Sequence, residues 1–358
     1  MQFYIIPKIF YEMGIGYSVI ADISSLNILS YFIAGSIILP IIHRFKLRYL
    51  MIFSLAFIVI NWISLFIDQQ YSSKLTKINI EVLHVMFASA MSFIYLIAIF
   101  LEIINHYPYS PRFCILISST IFILGYMLGN QLGINLDNDL FEFIIINIVV
   151  ALISIILIFA TTQSNYVRSM FKTNFAILIH HVELILISGL VSMYIIVSII
   201  TNYYRIVSED SLDILYTMKD YIAIGFCLAN LLILFLPIKS KYNIAFIILF
   251  FVLTAIITKF HHYKQLNIAG FIGIGCCACM IVYNNLVDII NKFQNKELTI
   301  TITTYFTVLA LGAYVGKKST ELISLYTGSN GLLLSVLIII SVFLLYFFYR
   351  RKVNIQVA

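Results

Sequence analysis

"IFILGYMLGNQLGI" occupies residues 121–134, and its glycines stand at 125, 129 and 133. Glycine in a helix interior costs about 1 kcal/mol relative to alanine. Three of them, four apart, fall on one helix face. Such a strip lets a second backbone come close, so Gly125, Gly129 and Gly133 are expected to form a helix-packing surface.

The surroundings of the strip settle the class of protein. The chain has 358 residues, of which 62% are hydrophobic and 11% charged, and its mean hydropathy is +1.02. A soluble domain is usually about half apolar and a quarter charged, so this chain reads as a polytopic membrane protein. A bilayer core takes about 20 apolar residues of helix to cross. Long continuous apolar runs, without two-residue alternation, point to helices and away from a barrel. Eleven spans are expected, over 24–43, 49–67, 82–104, 112–134, 141–161, 174–200, 219–237, 243–260, 267–291, 299–316 and 330–349.

Basic residues orient the bundle. Arg44, Lys46, Arg48, Arg112, Arg168, Lys172, Lys239 and Lys241 fall in loops on one side, with Arg350, Arg351 and Lys352. That side is expected to be cytoplasmic, and it accounts for the formal charge of +6 without a nucleic-acid partner. The five cysteines lie in spans, and "CCAC" lacks the ligand spacing of a zinc site. No metal or cofactor is expected. Nor is there a phosphate loop, nucleophile elbow or HExxH signature, and the chain is not expected to be an enzyme.

Read with its neighbours, the strip resembles the helix-5 signature of the drug:proton antiporters of the major facilitator superfamily, Gly-x-x-x-Gly-Pro-x-x-Gly-Gly. Here it stands as Gly125, Gly129, Asn130, Gly133 and Ile134. The adjoining "FEFIIINIVVAL", with Asn147, is similar to the opening of that family's helix 6. "LPIIHRFKLR", Leu39 to Arg48, is similar to its helix 2–3 loop, Gly-x-Leu-Ala-Asp-Arg-x-Gly-Arg-Arg. Arg44 and Arg48 match that loop and imply a cytoplasmic gate, while His43 stands in place of the aspartate. "EVLHVMFASAMSFIYL" puts His84 and Ala88 where the family has arginine and glycine in helix 4. "YIIPKIFYEMGIGYSVI" resembles the family's segment just past helix 1, so Met1 is expected near the end of that helix, either because the true start lies upstream or because the protein is a truncated remnant.

The resemblance implies an all-α fold of two helical bundles: residues 1–161 with a helix-1 remnant and helices 2–6, a cytoplasmic linker over 162–173, and residues 174–358 with helices 7–12. It implies a secondary transporter that alternates access to a midplane cavity. The expected activity is proton-driven export of a small amphipathic compound by a monomer in a bacterial inner membrane. Uptake or export of a metabolite or siderophore by the same fold is the alternative. A polytopic acyltransferase or glycan polymerase is an alternative of another class, with "NYYRIVSEDSLDILYTMKD" as its one candidate outer loop; a non-transporting remnant is a third.

Two positions carry the expected chemistry. Glu183 lies about nine residues into the span 174–200, or about 14 Å at 1.5 Å per residue. A carboxyl at that depth is costly without a partner or water. His180, one turn earlier on the same face, is its expected tuner, and the pair is the expected proton-coupling site. A protonated Glu183 bonded between helices is the alternative. Asn284 and Asn285 in "MIVYNNLVDII" are expected either to line the substrate cavity or to bond helix to helix.

Overall fold

The computed structural model describes residues 17–71, 74–106, 111–135, 140–161, 187–207, 212–235, 242–260, 263–292, 296–327 and Ser341. Ten α-helices are present among them: α1 Tyr17–Ile38, α2 Leu47–Tyr71, α3 Lys74–His106, α4 Pro111–Asn135, α5 Leu140–Thr161, α6 Ser192–Val207, α7 Leu212–Phe235, α8 Asn243–Lys259, α9 Lys264–Lys292 and α10 Lys296–Thr327. A 3₁₀ turn covers Ile42–Arg44, and a π turn covers Ile187–Val191 just ahead of α6. Five stretches are long and apolar enough to cross a bilayer: Leu47–Ile67, Val82–Ile104, Arg112–Gly129, Gln265–Asn291 and Leu298–Ile323. Shorter apolar stretches include Ser25–Ile38, Ile144–Ala160 and Asn243–Ile257. The chain is a multi-pass integral membrane protein.

The helix ends obey local chemistry. The first expected span, 24–43, is cut short at Ile38. Pro40 has no N–H to continue the ladder and disfavours the helical conformation at Leu39. The chain passes through a turn, with the Ile41 N–H donating to the Ile38 carbonyl at 3.0 Å. Pro111 opens α4, the position where a missing N–H costs nothing. The expected span 299–316 is instead part of a longer helix, α10, which runs on to Thr327. Its extension carries Lys317 and Lys318, both paired with Glu321 within 4 Å across one turn. The expected span 330–349 apart from Ser341, the linker 162–173 and the first part of the span 174–200 lie outside the described residues.

The described helices fall into two compact units. The first takes α1, α2, α3, α4 from Leu124 onward, α5, and α10 as far as Thr307. Here α2 packs on both α3 and α5, and α1 packs on α3. The buried face of α2 reads Leu47, Leu50, Met51, Ser54, Leu55, Asn61, Trp62 and Leu65, a repeat of three and four that fits a helical stripe. Trp62, the chain's single tryptophan, is 1% exposed. α5 turns a narrow row inward, Ile144, Ala151 and Ile158, each seven residues after the last. Its remaining faces expose Val149, Val150, Leu152, Ile153, Ile156 and Leu157, as a lipid-facing helix does.

The second unit takes α4 up to Ile123, the π turn, α6 to α9, and α10 from Val308. α9 is its centre and packs on α7 and α8. The core between them holds Ile247, Phe250, Ile257, Phe271, Ile274, Cys277, Ala278 and Ile281, with Tyr194 and Ile195 of α6. The run "GIGCCAC" is therefore the small-residue side of a packed helix; Cys276, Cys277 and Cys279 are buried free thiols. Where α7 and α9 meet, both backbones are stripped to glycine. A Cβ on Gly275 would collide with the Ile222 carbonyl, and one on Gly225 with the Ile272 carbonyl. Small residues admit this kind of approach where no hydrophobic effect drives helices together.

Candidate transport site

Polar side chains inside apolar helices are the places where such a fold does chemistry. The second unit contains two buried clusters of them. In the first, Asn230 of α7 is the hub. Its Oδ1 accepts from the Ser119 hydroxyl of α4 at 2.6 Å and from the Tyr283 hydroxyl of α9 at 2.5 Å. Its Nδ2 reaches the Thr120 hydroxyl at 3.4 Å. Asn230 and Tyr283 are buried, while Ser119 and Thr120 are half-buried. The cluster offers a phenol, two hydroxyls and an amide, with no charge. That chemistry suits hydroxyl, carbonyl or amide groups of a neutral solute and supplies no formal charge.

The second cluster joins α6, α8 and α9. Asn284 donates to Asn243 Oδ1 at 2.7 Å, Asn243 donates to Asn285 Oδ1 at 2.7 Å, and Asn285 reaches the Ser192 hydroxyl at 3.5 Å. Ser192 in turn donates to the Gly189 carbonyl inside the π turn, at 3.3 Å. None of these four side chains is more than 1% exposed. Of the two expectations for Asn284 and Asn285, the bond between helices is the one made here.

The first unit carries a reciprocal clasp. The Asn61 amide of α2 donates to the His84 carbonyl of α3 at 3.0 Å, and His84 Nδ1 lies 2.9 Å from Asn61 Oδ1. The amide oxygen can only accept, so Nδ1 carries the proton. Tyr31 of α1 stacks on Phe93 of α3 with ring centroids 5.3 Å apart.

The expected gate loop is only partly a loop. Arg44 is exposed. Arg48 reaches the last turns of α5, donating to the Phe159 carbonyl at 2.7 Å with its guanidinium 5.0 Å from the Phe159 ring. The final carbonyls of a helix lack intrahelical donors and carry the negative end of its dipole, so a cation there is favoured. The contact puts the start of α2 and the end of α5 at the same end of their unit, as the alternating spans require.

The glycine strip departs from expectation at its first member. Gly125 is exposed, and a Cβ built there would meet nothing within 4 Å. Gly129 is half-buried, and the surroundings of Gly133 lie outside the described residues. Close backbone approaches occur elsewhere, at Gly225, Gly275 and Gly312. Four-residue spacing identified a face but not what lies opposite it. Gly312 and Gly316 have the same spacing, and there the neighbours are real: the carbonyls of Leu190, at 2.5 Å from the added Cβ, and Tyr194, at 2.8 Å. The expected proton pair, His180 and Glu183, lies outside the described residues.

Asn230, Tyr283 and Ser119 are functional candidates that sequence reading passed over. "CLANLL" and "MIVYNN" each place a polar group in an apolar run, which is the available signal. Nothing in the spacing says that the groups meet.

Solved structures share this arrangement of helices. The E. coli fucose:proton symporter FucP matches with a TM-score of 0.61 and 13% identity, over 91% of this chain and 89% of that one. The proton:xylose symporter XylE matches with a TM-score of 0.65 and 14% identity, over 95% and 88%. Both FucP and XylE are described as major facilitator superfamily proteins. The chain shares the fold of these two transporters. At such identities the likeness concerns fold alone, and it does not single out the drug:proton antiporters. In sequence the chain is 25% identical, over 94% of its length and 87% of the relative's, to the uncharacterized protein RP255 of Rickettsia prowazekii (strain Madrid E). No protein-family model matches.

Proposed function

We propose that this protein is a secondary active transporter that moves a small solute across a membrane by alternating access, with proton coupling. The observation that carries the reading is the superfamily fold maintained over nine-tenths of the chain, its neighbours being named as proton symporters. In this proposal residues 1–161 and 174–358 are the two rocking halves, joined by the linker 162–173. Glu183 carries the proton and His180 tunes it. Asn230, Tyr283, Ser119 and Thr120 supply hydrogen bonds to the solute. Export of a small amphipathic compound is the finer reading, and it rests on the degenerate helix-5 strip. Uptake of a polar solute is the second reading, favoured by the uncharged hydroxyl-and-amide cluster and by the sugar cargo in the neighbours' names.

The two finer readings give opposite signals. In proteoliposomes loaded with a pH-sensitive dye, adding a transported solute outside acidifies the lumen under symport and alkalinises it under antiport. A panel of lipophilic quaternary ammonium cations, which cannot carry a proton across by diffusion, and of monosaccharides, each added without an imposed gradient, tests both. A solute-evoked pH change in one direction selects the reading. Silence with every compound, in vesicles that bind none of them, would overturn proton-coupled transport of these classes.

A further inference from the structure

The outward face of α2 changes character along its length. Its first half presents Tyr49, Phe53 and Phe57, exposed and four residues apart, and its second half presents Ile60, Ile63 and Ile67. The Phe53 and Phe57 rings have centroids 6.1 Å apart and planes inclined by 27°. Phe57 then meets the exposed Phe87 of α3 edge-on, again at 6.1 Å. Facing lipid does not by itself call for rings here, since the outward face of α5 is aliphatic from Ile145 to Leu157. From Leu47, where α2 begins, to Phe57 is about 15 Å of helix, half of a hydrocarbon core about 30 Å thick. The rings therefore line a single leaflet.

At their foot stand three cations. Arg44 is exposed, and Lys46 Nζ lies 5.9 Å from the centre of the Tyr49 ring, within reach of its negative face. Arg48 is engaged with the end of α5 through the Phe159 carbonyl. No Asp or Glu occurs between Asp22 and Asp68. The neighbouring α3 brings Glu102 toward this end, one carboxylate against three cations.

We infer that this face is a site for one anionic phospholipid, its phosphate held by Arg44 and Lys46 and an acyl chain laid along Tyr49, Phe53 and Phe57. The cations select the headgroup, each worth roughly fivefold near an anionic surface. The rings fix the place: phenylalanine has two side-chain torsions, and stacked rings hold each other in position against the chain. Tyr49 joins the two parts, because its ring keeps the Lys46 ammonium at headgroup level. The site lies on the outside of the first unit and is independent of cargo and of proton coupling.

The test uses the whole chain in nanodiscs of equal parts phosphatidylglycerol and phosphatidylcholine, released into mild detergent and weighed by native mass spectrometry. One phosphatidylglycerol should stay bound in preference to phosphatidylcholine. Arg44→Gln with Lys46→Gln should lower its retention roughly twenty-five-fold, about fivefold per cation. Arg112→Gln, which removes an exposed cation at the start of α4, should not lower it. Phe53→Leu with Phe57→Leu keeps the surface apolar and removes the rings, and retention should fall roughly threefold. Glycerol 3-phosphate in millimolar excess should not displace the lipid. Should the double glutamine variant fail to insert, Arg44→Gln alone should still show its roughly fivefold loss. Equal retention of the two lipids would overturn the site, and so would displacement by glycerol 3-phosphate. Full retention in the leucine variant would overturn it too, since the basic turn would then be attracting anionic lipid without the rings.

Discussion

Glu183 is the residue on which the proposed mechanism turns, and its test separates charge from shape. Glu183→Gln keeps the volume and removes the ionisable group; gradient-driven flux should vanish while solute exchange without a gradient persists. Unchanged gradient-driven flux would remove Glu183 from the mechanism. Asn230 is the residue best anchored by geometry. Asn230→Ala leaves the buried Tyr283 hydroxyl without the acceptor it uses here, while the Ser119 hydroxyl keeps the Ile115 carbonyl at 2.7 Å, and a buried group deprived of its partner costs about 1–3 kcal/mol. The melting transition of the purified protein should fall accordingly, whereas Tyr283→Phe, which leaves Ser119 to satisfy Asn230, should fall less. Equal melting in Asn230→Ala and wild type would mean that these hydrogen bonds contribute nothing. The sequence announces such residues only as polar letters in apolar runs. Asn284 and Asn285 drew notice because they are adjacent, Asn230 did not, and all three prove buried and bonded.

Among the elements, the helices and most of their boundaries are readable because hydrophobic length and proline decide them. Partners are not readable, since an apolar face says nothing about which apolar face opposes it. The glycines make the point. Gly125 belongs to the most conspicuous spacing in the chain and meets open space, while Gly275, in a denser "GFIGIGCC" run, touches the α7 backbone. These environments set a graded series. Gly125→Ala should be neutral or gain up to about 1 kcal/mol from helix propensity. Gly273→Ala meets only the flexible tip of Leu253 and should cost little. Gly275→Ala meets the Ile222 backbone, and overpacking of this kind costs about 1–3 kcal/mol. Thermal unfolding in one detergent ranks the three; the reverse order would mean that α7 and α9 do not pack as described.

For the whole molecule, composition and the long apolar runs make a helical membrane protein legible, because crossing a bilayer is a demand that no local detail can override; the two-bundle plan was implied only by the resemblance of the helix-5 strip and the loop Leu39 to Arg48. Orientation is the next consequence. The basic loops imply that the 238–242 turn is cytoplasmic and the 202–218 segment external. A single cysteine at Ser208 should react with an impermeant maleimide added to intact cells, and one at Ser240 should react after permeabilisation. The opposite pattern would invert the topology and with it the side on which any solute is released. What the sequence does not display is the cargo. That depends on a few hydrogen-bonding groups brought from α4, α7 and α9, which are separated by about a hundred residues of chain or about fifty.

The burial of Trp62 has an optical consequence. With one indole in 358 residues, all tryptophan emission comes from one point on α2, next in the chain to Asn61. Emission should be blue-shifted and resistant to aqueous iodide. Unfolding of α2 from α3 would instead shift the spectrum to the red. The native chain therefore carries its own reporter for one helix pair, readable without a label and without knowing the cargo.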